Sequence, residues 1–554
     1  MNKFYLLFFS IIVIIIITAS ANAGVSKKEI TTVQSSKDKN DIERVIPLID
    51  TRQTTLSQVV FNVTTNGANA HLAPTGSQGE PGLYWPRNSS NSYIYGMGLC
   101  FSARKYYNND TNKLVEMSYN PTSAKSWLIP GRIEDGNPMI FGKKDKYQIY
   151  MSTDYNKATG APLDVADTLL WPLWKQDNNL LNRFGQYVFH NQQRTVTDHS
   201  NGPAFISDED MICQIKDTDI SRYEGDRDLN QSRGFPLKMQ YEESIYSWGI
   251  EKYKDMIIVM YNAINMSTDT LWDCWFSQIV DPDIVIKGNS DTTGMKNDQS
   301  KLYTTDNSLN LGITWSDTTA GEKGKGMGYV GVSLLMTPTT DQNGFIKKDK
   351  RFYPPNEQLG LKSFILFPIM NDSIILNNLY DNIASGTKTE KLYPTDIRLL
   401  FSTGPFHLYP GDTARMAVLV YLANTAGGGD ATGTDEDCKL LVDGVKEAHR
   451  YFYQDLLVAI ENQENDLNNR STINSIYPNP AIDYSEISFN TPKPGSAIIE
   501  IINLSGRVLE SENIILKEGT STFKVNTGNL SNGTYIINVK SKDFNSGKLL
   551  TVYK

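Results

Sequence analysis

Asn532-Gly533-Thr534-Tyr535-Ile536-Ile537-Asn538-Val539-Lys540 reads as a turn followed by a half-buried strand. Asn-Gly is a strong turn signal because both residues tolerate positive φ. After it, Tyr535, Ile537 and Val539 fall on one face, with Thr534, Asn538 and Lys540 on the other. That period of two marks a strand with one side on a core. The pattern recurs on both sides of the stretch. Ser485–Phe489, Ala497–Leu504, Arg507–Leu509, Thr522–Val525 and Leu549–Tyr553 are short strand-like runs, separated by turn residues such as Ser505-Gly506. Short strands with frequent turns predict an Ig-like β-sandwich over 475–554. Ile476-Tyr477-Pro478-Asn479-Pro480-Ala481 opens it. Each proline fixes its own φ and keeps the preceding residue out of the helical region, so the chain enters extended.

Upstream, the polar run 461–474 predicts a linker. Before it, Leu441, Val445, Ala448, Phe452, Leu456 and Ile460 recur at three- and four-residue spacing. That spacing predicts one amphipathic helix near 440–460. The remainder is strand-like. Val59–Val63, Tyr93–Phe101, Ile257–Tyr261, Asp273–Ser277, Tyr329–Met336, Ser363–Phe367, Arg398–Ser402 and Met416–Tyr421 are short apolar runs broken by Gly, Asn, Pro and Ser. The expected fold class is mostly β, with a multi-domain β-sandwich-type body. Its expected divisions are 46–240 and 241–460, the latter ending in the helix.

At the other end, Lys3 precedes the apolar run Phe4–Thr18, and Ala21-Asn22-Ala23 follows. This reads as a secretory signal peptide over 1–23, with a flexible lead-in at 24–45. The run is shorter than a bilayer span, and no transmembrane segment is expected in the mature chain. The 554 residues are 40% hydrophobic and 21% charged, which allows packed cores. The formal net charge of -9 offers no basic stripe, so no nucleic acid is expected as a partner. Four cysteines, Cys100, Cys213, Cys274 and Cys438, lack metal-type spacing. They allow three disulfide pairings, or burial as small apolar side chains.

Tyr477-Pro478-Asn479-Pro480, Asn503-Leu504-Ser505-Gly506-Arg507-Val508 and Leu530 to Val539 occur in that order near the end of the chain. With a final strand just before Lys554, this segment resembles the type A C-terminal sorting domain of the type IX (Por) secretion system of Bacteroidetes. The sorting-motif residues are Tyr477, Pro478, Asn479, Pro480, Gly506, Gly533 and Tyr535. The resemblance implies export through the type IX machinery, removal of the tag by its surface sortase, and release or attachment to cell-surface lipopolysaccharide. Gly82-Leu83-Tyr84-Trp85-Pro86, Tyr95-Gly96-Met97-Gly98-Leu99 and Ser402-Thr403-Gly404-Pro405-Phe406 resemble parts of large uncharacterised secreted cargo proteins of Bacteroidetes-like bacteria. That second resemblance carries no catalytic residue.

The chemistry-bearing residues are sparse. Five histidines form no HExxH or similar pair, and no GxSxG or phosphate-binding glycine loop occurs. No organic cofactor is implied. Asp281 and Asp283 end a strand-like run and are the candidate calcium ligands, since calcium takes carboxylates in loops at strand ends. A solvated acidic loop would read the same way. Trp85, Trp171, Trp174, Trp272 and Trp275 could stack on sugars or anchor a core. The expected function is a secreted or surface-attached structural or interaction protein. The alternative is an extracellular hydrolase acting on polysaccharide or protein, which would need a carboxylate pair facing a groove.

Overall fold

The computed structural model describes residues 49–72, 81–133, 148–151, 153, 207–218, 234–286, 296–316, 327–348, 352–392, 394–456, 471–503, 506–542 and 544–554. The expected signal peptide, the lead-in, most of the linker, Trp171 and Trp174 lie outside these residues.

The chain is mostly β, as its periodicity predicts. Two antiparallel sheets form the centre of the body. The larger has ten strands and includes, in spatial order, Asp298–Leu302, Leu311–Ser316, Tyr329–Met336, Thr413–Ala423, Met256–Asn265, Met239–Ser247 and Glu209–Lys216. The smaller has five, in the order Ser363–Pro368, Ile397–Leu408, Leu271–Asp281, Gly96–Tyr107 and Asp110–Met117. A third sheet of short strands gathers Thr51–Gln53, Val60–Thr64, Leu83–Tyr84, Asn91–Ile94 and Val285–Ile286.

Alternation explains the layering. On Met256–Asn265, Ile257 and Val259 join the core between the two large sheets, while Met256 and Ile258 face the other way. On Thr413–Ala423, Val418 and Val420 take the first core, and Ala417 and Leu419 the second. Both faces of these strands are buried, which is why they read as continuous apolar runs. Phe101 meets Tyr241 edge-on at 6.2 Å, and Tyr261 meets Phe276 at 6.0 Å, each pair joining the two sheets.

The helix Lys439–Arg450 covers the outer face of the larger sheet through Leu441, Val442, Val445 and Ala448. The leucine and the two valines each contribute roughly 1.5–3 kcal/mol when fully buried, and the Ala448 methyl about 1 kcal/mol or less. The helical turn then widens to a π turn over Tyr451–Leu456, with Phe452 still buried. The outer face of the smaller sheet is covered by Leu379, Tyr380 and Ile383 of a short helix, Leu379–Ile383. The body is thus a helix–sheet–sheet–helix stack.

The strand Met239–Ser247 runs across the expected division at 240/241, and the central core draws on residues from both sides of it. Met256–Asn265 and Leu271–Asp281 are adjacent in sequence but lie in different sheets. The polar turn between them, where Asn265 Oδ1 accepts from Ser267 N at 3.0 Å, carries the chain across the sandwich. All four cysteines are buried and free, so none of the three pairings forms.

The C-terminal segment folds as two sheets. Thr472–Tyr477, Tyr484–Thr491 and Gly519–Asn526 form one of three strands, and Val508–Leu516, Gly495–Asn503, Gly533–Lys540 and Asn545–Val552 one of four. Tyr535, Ile537 and Val539 point into a core that, among the described residues, runs from Ile473 to Val552. Asn532-Gly533 does not close a hairpin, because the strands on either side of it belong to different sheets. Asn532 Oδ1 instead accepts from the Lys554 amide at 2.7 Å.

Candidate functional site

Asp281 is the last residue of its strand and pairs with Gly96 on the neighbouring strand. The absence of a side chain at Gly96 lets the Tyr119 ring cross it, and Tyr119 Oη donates to Asp281 Oδ2 at 2.7 Å. Asp283 follows, held by its amide to the Tyr93 carbonyl at 3.1 Å. Asp298 begins a strand of the larger sheet and accepts from the Ile284 amide at 2.9 Å. Asp396 precedes the strand Ile397–Leu408, and Asp372 opens the short helix Asp372–Asn377. Oxygens of Asp281, Asp283 and Asp396 lie within 4.8 Å of one another.

Arg398 is the cation among them. Its Nη1 lies 2.5 Å from Asp281 Oδ1 and pairs closely with Asp396, while its Nε is 4.0 Å from Asp372 Oδ1. The Asp281 contact is close in distance but off the hydrogen-bonding direction. Burial works against the Arg398 charge, but Asp281, Asp396, Asp283 and Asp372 outweigh it and hold its pKa above the usual value. The carboxyls shift upward. Burial is the main cause for Asp281, partly offset by Arg398. For Asp283 burial is reinforced by Asp281 and Asp396. Burial also raises Asp298, and it pushes Asp372 up to about 6.

The sequence singled out Asp281 and Asp283, and the structure brings them together with three further carboxylates and one arginine. One signal for Arg398 was available. In Asp396-Ile397-Arg398-Leu399-Leu400 a charge sits inside an apolar strand run, and a buried charge must be paired. Asp298 and Asp372 carry no comparable local mark.

A second feature is a groove of about 340 Å³ beside the end of the strand Tyr329–Met336. Lys347, Lys348, Phe352, Tyr353, Asp412 and Arg415 are among its lining residues. Lys347 Nζ lies 4.0 Å from the Tyr353 ring centre, and the Arg415 guanidinium 5.2 Å from that of Phe352. Next to it runs an aromatic shelf. Phe345 stacks on Tyr409 at 4.1 Å, His407 meets Phe345 at 5.1 Å, and Trp272 meets His407 at 5.0 Å. Lys348 Nζ joins groove and shelf, 4.9 Å from the Tyr409 ring and 3.3 Å from Asp412 Oδ1. Trp272 is exposed, whereas Trp85 and Trp275 are buried core anchors. Sequence reasoning did not find the groove, since no local motif marks its lysines.

The sorting-motif residues fall in the opening loop, in the turn after Gly495–Asn503 and at the start of the strand Gly533–Lys540. The Tyr477-Pro478 and Asn479-Pro480 bonds are cis, and Tyr477 is exposed. Asn479 Nδ2 donates to the Leu549 carbonyl at 3.1 Å, and its Oδ1 accepts from the Thr551 amide at 2.8 Å. Gly506 has φ 83°, the left-handed region where a side chain is strained, in the turn closed by its amide on Asn503 O at 2.9 Å. Tyr535 Oη donates to Ser531 O at 2.8 Å.

No curated protein matches the chain. Solved structures with a partial likeness include a polysaccharide lyase, 8% identical with a TM-score of 0.24, covering 92% of this chain and 46% of the lyase. The BSP domain of a biofilm associated protein is 12% identical, with a TM-score of 0.14, over 62% of this chain and 60% of that one. A β-glucosidase from Kluyveromyces marxianus is 10% identical, with a TM-score of 0.12, over 55% and 45%. Among the described residues, no helix is long and apolar enough to cross a membrane. Residues 475–552 match the family model of the secretion system C-terminal sorting domain. The last seven strands, with their own core, are thus a type IX secretion sorting domain carried at the end of this chain.

Proposed function

We propose that the protein is cargo of the type IX route, made with a cleaved signal peptide and delivered outside the cell of a bacterium of the Bacteroidetes kind. There the sortase removes the tail and leaves the body free or attached to surface lipopolysaccharide. The match of 475–552, joined to a core that among the described residues runs from Ile473 to Val552, carries this reading. A chain lacking 475–554, expressed in a host with the type IX machinery, is expected to accumulate in the periplasm. Its appearance outside at the full-length level would overturn the proposal.

The body acts by binding. Its groove sets Lys347, Lys348 and Arg415 beside aromatic faces, a combination that suits an extended anionic saccharide. Aromatic rings pack on sugar faces, and the cations meet carboxylate or sulfate groups. The hydrolase alternative needs two facing carboxylates. Among the described lining residues Asp412 is the one carboxylate, and it is engaged with Lys348.

A further inference from the structure

Around Arg398 the counting of charge does not close. Asp281, Asp283, Asp372 and Asp396 share a single guanidinium, and Asp298 adds a fifth carboxyl beside Asp283, Asp396 and Asp281. Asp281 Oδ1, Asp283 Oδ1, Asp298 Oδ1 and Asp372 Oδ1 are buried and accept no hydrogen bond. Leaving one such oxygen without a donor costs a few kcal/mol, and more when it is charged. Few donors are at hand: Tyr119 Oη and the Ile284 amide satisfy one oxygen each. The guanidinium sits to one side, against Asp281 and Asp396. Asp283 and Asp298 make no close ion pair with it, and each keeps a buried oxygen without a hydrogen-bond donor.

We propose that Asp281, Asp283 and Asp396, flanked by Asp298, bind one calcium ion that ties the end of the sandwich together. Oxygens on one calcium at 2.3–2.6 Å can lie at most about 5 Å apart, and the three carboxylates meet that limit at 4.8 Å. The donor set is hard oxygen throughout, which suits calcium rather than zinc. The Asp396 side chain is 20% exposed, so the ion has a way in from solvent. Asp281 ends a strand of the smaller sheet, Asp396 immediately precedes another, and Asp298 begins a strand of the larger sheet. The ion therefore links the two layers and leaves Arg398 to neutralise the remaining charge. This site is independent of the groove and of the sorting tail.

The test is calcium titration of the chelator-treated full-length protein by calorimetry, paired with thermal unfolding. Binding of one ion and a rise in Tm of several degrees are expected at millimolar calcium. Asp283→Asn, close in shape but short of a charge, is expected to weaken binding at least tenfold. Asp396→Asn, at the solvent-facing edge, is expected to do the same and serves if Asp283→Asn does not fold. Asp435→Asn, on the surface beside Lys301, is expected to bind as the unaltered protein does. Absence of binding and of any Tm shift at 10-fold the ordinary extracellular millimolar calcium level would overturn the proposal. So would binding that Asp283→Asn and Asp396→Asn both leave unchanged.

Discussion

Asn479 ties the opening loop of the sorting domain to its last strand, its Oδ1 accepting from the Thr551 amide at 2.8 Å. The same side chain donates to the Leu549 carbonyl at 3.1 Å, so one amide spans two backbone groups of that strand. Ala481 then continues the contact, its amide on the Thr551 carbonyl at 2.8 Å. The terminal strand therefore depends on the loop that opens the domain.

Replacing Asn479 by alanine removes both bonds. They are exposed, so the loss is about 1 kcal/mol. Hydrogen exchange in a peptide covering the Asn545–Val552 strand should accelerate roughly fivefold in Asn479→Ala. Unchanged exchange there would show that the amide does not hold the strand.

Gly96 is a second position where one atom decides. A Cβ there would lie 2.3 Å from the Tyr119 ring, and Tyr119 is fully buried against Asp281. The ring cannot retreat without giving up its bond to Asp281. Gly96→Ala should cost about 2–3 kcal/mol, in the range of overpacked cores. Gly427→Ala, where a Cβ meets nothing within 4 Å, should be near neutral. Denaturant midpoints of the two variants, compared at equal m-value, check both expectations.

These cases show what the sequence carries. Tyr535, Ile537 and Val539 announce their strand because one face meets a core and the other does not. Met416–Tyr421 announces a doubly covered strand because every side chain is apolar or aromatic. The helix is legible through Leu441, Val445 and Ala448, though its change to a π turn at Tyr451 is not, since both forms keep Phe452 inward. Strand partnership is not legible: nothing in Met256–Asn265 says that its neighbours are Met239–Ser247 and Thr413–Ala423 rather than Leu271–Asp281. The acidic centre inherits that limit. Asp281 and Asp283 are visible as a pair, but Asp298, Asp372, Asp396 and Arg398 join them only through the register of two sheets.

Buried carboxyls give the body a pH dependence. Glu243 is fully buried between the sheets, and burial pushes its pKa from 4.5 up to about 7, against the hydrogen bonds from Asn69 and Cys213. Below pH 4.5 the group is protonated whether the chain is folded or unfolded, and it adds no dependence. As the pH rises from about 4.5 to 7, the unfolded chain ionises while the folded chain keeps its proton, so stability falls. The loss levels off above about 7 and is on the order of 3 kcal/mol. Glu243→Gln is uncharged at every pH and should lose this component. Its midpoint should exceed that of the unaltered protein at pH 8 and approach it at pH 4.5. Equal differences at both values would mean that folding does not raise the Glu243 pKa.

The groove makes the sharpest functional prediction. Lys347 and Lys348 lie against Tyr353 and Tyr409 and pair with Glu357 at 3.6 Å and Asp412 at 3.3 Å, so an anionic ligand would compete with these two carboxylates for their ammonium groups. A polyuronate should retard the protein in affinity electrophoresis, and a neutral glucan should not. Lys347→Ala with Lys348→Ala should weaken the interaction about tenfold or more, and added salt should mimic the loss, because exposed charges are screened over about 8 Å at physiological strength. Trp272→Ala should weaken it at all salt concentrations alike, since stacking on an exposed ring does not depend on charge. Retardation by the neutral glucan that both lysine changes leave intact would assign recognition to the aromatic shelf alone and remove the anionic specificity.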